Sequence, residues 1–227
     1  MRLKTVKELL RVVIGLAIFA YGVHLTIAAN IGVNPWDVLG QGIAKHTPLN
    51  YGIAMTATSI LVLLIDVLLR QPIGYGMLID ALLTGNLVQL YNDYGHFTNN
   101  LVGETLKLSG IPAVCASVVM MLIGIVFMAV GQAIYMGAGQ SCGPRDTMLV
   151  GLALRFRKIP IGLIQNCILL SVFVVGWILG GSVGIGTVIC VLLTGPVMEY
   201  VFKIMKFEPR KINHKNIIES TKILFGV

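Results

Sequence analysis

The sequence is short of charge. Asp, Glu, Lys and Arg make up 12% of its 227 residues, against about 25% in a soluble domain. A chain that is 56% hydrophobic cannot clothe a water-facing surface with so few charges, whereas a lipid-facing surface asks for almost none. A soluble globular protein is therefore excluded. Reactive groups are as sparse. The four cysteines, Cys115, Cys142, Cys167 and Cys190, show no Cys-x-x-Cys spacing and no neighbouring histidine cluster. Neither a disulfide framework nor a metal site is expected. No nucleophile–base pair, carboxylate pair or Gly-x-x-x-x-Gly-Lys loop stands out, so the chain is expected to be no enzyme and to carry no cofactor.

What the sequence does have is hydrophobic length. Mean hydropathy is +0.85, and apolar runs fall at 11–29, 51–69, 74–91, 111–137, 160–180 and 184–202. Crossing about 30 Å of hydrocarbon takes about 20 apolar residues, so these runs predict an all-α integral membrane protein with six transmembrane helices. Little chain is left for an extramembrane domain. Two further pieces, 35–46 and 144–157, have helical composition, but at 1.5 Å per residue each reaches only about 18 Å.

Lysine and arginine divide sharply between alternate loops. One side holds Arg2, Lys4, Lys7, Arg11, Arg70, Arg145, Arg155, Arg157, Lys158 and the tail from Lys203 to Lys222, and only Lys45 and Lys107 fall opposite. Positive loops stay in the cytoplasm, so both termini are expected there, in the plasma membrane of the cell. The net charge of +7 is mostly this asymmetry beside anionic lipid headgroups, and nucleic acid is excluded as a partner.

Sliding the chain against itself by 109 positions aligns Gly15 with Gly124, Gly22 with Gly131, Pro35 with Pro144, Asp37 with Asp146 and Gly42 with Gly151. At an offset of 110, Gly74 meets Gly184, Gly76 meets Gly186, and Leu82-Leu83-Thr84-Gly85 meets Leu192-Leu193-Thr194-Gly195. Chance likeness between apolar helices would fall on Leu, Val and Ile, whereas these matches fall on Gly, Pro, Asp and Thr. The expected organisation is a basic cytoplasmic N-terminus (1–10), a first repeat (11–91), an extracytoplasmic loop (92–110), a second repeat (111–202) and a basic cytoplasmic tail (203–227). With three spans in each, the second repeat enters the membrane upside down, an inverted topology that recurs in secondary transporters. The first span has the look of a signal peptide, but its counterpart around Gly124 lies mid-chain, so it is expected to be retained.

The short helices open on Asn34-Pro35-Trp36-Asp37 and Gly143-Pro144-Arg145-Asp146. Asn suits an N-cap, Pro the first helical position, and Asp the first turn, where it accepts backbone N–H bonds and complements the dipole. One reading of Asp37 and Asp146 is therefore capping. The other makes both helices re-entrant, lining a midplane solute site with Asn34, Trp36, Gln140 and Arg145. An interfacial helix lying flat competes with that reading.

Ionisable groups inside hydrocarbon are costly and usually face a cavity or a partner. Asp80 is the strongest candidate, one turn before Thr84, with Thr194 at the matching place in the second repeat and Cys190 opposite Asp80 itself. Asp66 is one turn from Arg70 and Glu199 one turn from Lys203, so ion pairing accounts for both. His24 reads as a satisfied buried histidine. His24 and Glu199 are also the candidates for proton coupling.

The Pro35-Trp36-Asp37-Val38-Leu39 turn, with the Gly74-x-Gly76 opening after Arg70-Gln71-Pro72, resembles the YczE/YitT-like family of small bacterial multi-pass membrane proteins, over about residues 11–202. Met77 departs from the Gly-x-Gly-Thr pattern of that family and Thr187 keeps it. The resemblance implies a bacterial cytoplasmic membrane and supplies no substrate. The function expected is a transporter or facilitator of a small polar solute. The alternatives are a channel built from paired re-entrant helices, and a solute-binding or accessory subunit of a larger complex. Expected partners are the lipid bilayer, a small solute or ion, and a second copy or partner subunit.

Overall fold

A computed structural model describes residues 2–48, 51–71, 73–94, 110–212, 215 and 217–225. Among these residues all the regular structure is helical, with nine α-helices. They are α1 (Arg2–Ala28), α2 (Pro35–His46), α3 (Tyr51–Leu68), α4 (Tyr75–Tyr94), α5 (Ile111–Met136), α6 (Pro144–Arg155), α7 (Ile161–Ile178), α8 (Ile185–Ile204) and α9 (Ile217–Phe225), with a 3₁₀ turn at Pro209–Lys211. Four are long and apolar enough to cross a membrane: α1, α5, α7 and α8. The described part of α3, Ile53–Leu68, is apolar but shorter. Asp80, Asn86, Gln89, Asn92 and Asp93 lower the hydropathy of α4.

Several expected boundaries move. The helix of the first span already begins at Arg2, so it runs through the expected N-terminal segment 1–10. The second short helix ends at Arg155, two residues before the expected 157. Most of the expected loop 92–110 lies outside the described residues. The tail does not trail away either. Lys215 N–H donates to Gly139 O at 3.0 Å, Ile217 N–H to Ile73 O at 2.9 Å, and Tyr75 shares a 2.8 Å hydrogen bond with Thr221. The tail thus straps the turn after α5 to the start of α4, and an ion pair between Lys215 and Glu8 (2.6 Å) holds it against α1.

Glycine sets the centre of the fold. A Cβ on Gly22 would stand 2.6 Å from Gly124 O, and one on Gly15 would stand 3.0 Å from Gly131 O. Because residue numbers rise along α1 as they fall along α5, the two helices are antiparallel, with their backbones in direct contact, a packing only small residues allow. Leu16, Tyr135, Met136, Leu149, Leu169 and Met198 fill the core beside this seam. Helix α2 packs on α7 and α6 packs on α3, so each short helix rests on the other half of the chain.

Several backbone features recur at the offsets of 109 and 110 positions. Left-handed φ values occur at Asn30 (52°) and Gly139 (72°), at Gly32 (131°) and Ser141 (70°), and at Arg70 (54°) and Gly180 (76°). Each pair is separated by 109 or 110 positions. Gly186 N–H donates to Ile31 O at 2.8 Å, and Gly76 N–H donates to Gln140 O at 2.7 Å, at the same offsets. Asn30, Ser141 and Arg70 hold the left-handed region with a side chain where the matching position has glycine, so the turn itself is what both positions retain.

Candidate functional site

The two breaks deliver the starts of α2 and α6 to the protein interior. Pro35, Trp36, Asp37 and Val38 are buried at the start of α2, as are Pro144, Asp146 and Thr147 at the start of α6. Both helices become exposed towards their ends. Asn34 caps α2, its Oδ1 accepting from Trp36 N–H at 3.1 Å. Gly143 has no side chain to do the same for α6, and the Asp80 carboxylate from α4 lies in the space a Gly143 side chain would fill. At the matching sequence positions Gly143 stands in place of Asn34, and Cys190 in place of Asp80.

Between these starts lies a cavity of about 430 Å³. Asn34, Trp36, Asp37, Asp80, Thr84, Arg145, Asp146 and Thr194 all line it, which brings together eight of the residues singled out in the sequence. The Arg145 guanidinium sits 4.7 Å from the Trp36 ring centroid and interacts electrostatically with Asp80. Thr84 Oγ1 donates to Asp80 Oδ1. Asp146 Oδ1 accepts from Gln132 Nε2 at 2.5 Å. Thr194 is 6% exposed, and its hydroxyl has no hydrogen-bond partner among the described residues. Phe19, Met128, Tyr135, Ile168 and Met198 supply the apolar wall.

Other expectations need correction. Gln140 does not line the cavity: it is fully buried, donating to Glu8 Oε2 at 2.7 Å and accepting from Ser220 at 2.9 Å. It is a structural link to the tail. Glu199 lies off the cavity beside Gly162, and makes no ion pair with Lys203. Asp66 makes none with Arg70; it is fully buried, and neither carboxylate oxygen has a hydrogen-bond partner among the described residues. His24 also stands outside the wall, with Nδ1 bonded to Asn92 at 2.6 Å and Tyr21 and Tyr91 against its ring.

Sequence reasoning missed Gln132, Tyr135 and Asn92 as lining residues. Gln132 was visible as the one amide in the apolar run of α5, a signal of the same kind as Asp80. It also missed a repaired break in α8. Pro196 cannot donate to Leu192 O. Asn166 of α7 does so instead, its Nδ2 3.0 Å from Leu192 O, while its Oδ1 accepts from Gly195 N–H at 2.8 Å. The break lies beside Thr194, at the cavity wall.

A family model described as a family of unknown function (DUF6198) matches residues 6–203. An uncharacterized protein of Haemophilus influenzae is 30% identical over 203 residues, 89% of this chain and 85% of the relative. The uncharacterized membrane protein YczE of Bacillus subtilis is 25% identical over 188 residues, 82% of this chain and 81% of its own. The uncharacterized protein YyaS of Bacillus subtilis is 28% identical over 197 residues, covering 85% and 91%. No solved structure matches.

Proposed function

The chain belongs to the DUF6198 family and is a membrane protein, and from its cavity we propose that it is a transporter or facilitator of a small polar solute, without enzymatic activity. The observation that carries this reading is the cavity itself. About 430 Å³ of space lies between two short helices whose buried starts contribute Asp37 and Asp146, within the size range of small-molecule sites. Polar groups converge on it inside a chain that has few of them.

The repeat supports a mechanism. The antiparallel α1 and α5, the matched left-handed turns and the matched hydrogen bonds at Ile31 and Gln140 are what two halves of inverted topology, three spans each, would present. Such halves rock against each other around a site near the midplane, opening it to one side and then the other. The break from 137 to 143 supports re-entrant helices over interfacial ones, since Ala138, Gln140, Ser141 and Cys142 are each at most 5% exposed. Non-helical backbone survives at membrane depth where protein or a water-filled cavity surrounds it. The lysine and arginine distribution supports a cytoplasmic side for both termini.

The test is flux in proteoliposomes. A solute picked by its stabilisation of the purified protein should enter with saturable kinetics, and Asp37→Asn, Asp80→Asn and Asp146→Asn should each lower the rate at least tenfold. Unchanged flux in all three variants contradicts the reading, and flux that fails to saturate points to a channel.

A further inference from the structure

We propose that the cavity takes a small organic cation bearing N–H donors, of the alkylammonium or alkylguanidinium class. This deepens the transport reading and rests on it for the role of the site, though not for the charge of its ligand. Among the described residues, the acidic side chains in the wall are Asp37, Asp80 and Asp146, against one basic side chain, Arg145. A low-dielectric cavity with that imbalance is stabilised by a positive charge entering it.

Neutral groups point the same way. The Thr194 hydroxyl, nine-tenths buried in the wall and without a partner among the described residues, is ready to accept from an N–H donor. Trp36 offers a ring face, which favours cations. Arg145 already displays this chemistry in tethered form, its guanidinium lying over the Trp36 ring. A bare metal ion fits less well. No group of three or more His, Cys, Asp or Glu side chains among the described residues is arranged to ligate one, and Phe19, Met128, Ile168 and Met198 give the wall an apolar portion that suits a short hydrocarbon chain.

The experiment uses the full chain in detergent and four probes that share a butyl chain: n-butylguanidinium, n-butylammonium, n-butylurea and pentanoate. Either cation should raise the unfolding temperature dose-dependently, and the neutral and anionic probes should not. Asp37→Asn and Asp80→Asn should each weaken cation binding by at least about tenfold, and Thr194→Val by about fivefold, the losses expected for a charged and a neutral hydrogen bond. Thr194→Val keeps the side-chain volume and so reports on binding even if an aspartate variant fails to fold. A urea or pentanoate response equal to the cation response, or no response to either cation, overturns the proposal. Flux of a neutral or anionic solute would leave transport standing while the charge assignment falls. Cation binding without flux would do the reverse.

Discussion

The Arg145 guanidinium lies over the Trp36 ring, 4.7 Å from its centroid, and so joins the second residue of α6 to the second residue of α2. These two residues occupy the same place in the repeat, one position after each proline. The contact therefore joins the two short helices at the cavity wall. If the halves move against each other, this contact must break or slide.

The pair should be energetically coupled. In a double-mutant cycle of Trp36→Leu and Arg145→Gln, thermal unfolding in detergent should give an interaction energy of about 0.5–2 kcal/mol, the range for a cation over an aromatic face. A coupling of zero would mean that the stacking is incidental to packing.

The α1–α5 seam sets a second expectation. Gly22→Ala places a methyl group 2.6 Å from Gly124 O and Met128 N, and such overpacking should cost about 1–3 kcal/mol. Gly85→Ala is the control. Nothing lies within 4 Å of a Cβ there, so the variant should be neutral or gain up to about 1 kcal/mol from helix propensity. Equal losses at both positions, measured by thermal or denaturant unfolding, would contradict the close backbone approach.

Asn166 should matter through Pro196. Asn166→Leu leaves Leu192 O and Gly195 N–H without the partners recorded at 3.0 and 2.8 Å, an expected loss of about 1–3 kcal/mol. In a Pro196→Ala background the helix can close its own hydrogen bond to Leu192 O, and the same substitution should cost measurably less. Identical costs in both backgrounds would show that Asn166 does not serve the break.

Much of this was legible in the sequence because it is local. Asn34-Pro35-x-Asp37 writes a helix start into four adjacent residues, and α2 begins at Pro35 as read. Asp80 and Thr84, one turn apart on one helix, reach the cavity together. The internal likeness at 109 and 110 positions stands out because its marks are glycines and prolines, the residues a backbone turn or close approach requires. What misled is non-local. Gln140 looked like a site residue by its place beside the second break, but its partners Glu8 and Ser220 lie 132 and 80 positions away. No spacing rule joins them. The expected pairs Asp66 with Arg70 and Glu199 with Lys203 have the right helical spacing, yet burial of Asp66 and the left-handed turn at Arg70 separate the first.

The measurement that tests the central claim most directly is solvent access to the cavity from each face of the membrane. Ala81 lines the cavity; Ala81→Cys is introduced with Cys115, Cys142, Cys167 and Cys190 replaced by serine or alanine, and the protein is sealed into proteoliposomes of known orientation. A membrane-impermeant thiol reagent should label residue 81 from outside and from inside, and bound solute should protect it from both. A cysteine at Leu170, 51% exposed on the outer surface of α7, should stay unlabelled as the lipid-facing control. Labelling of residue 81 from one face only, or from neither, in a protein that retains its helical content, would contradict alternating access to this cavity.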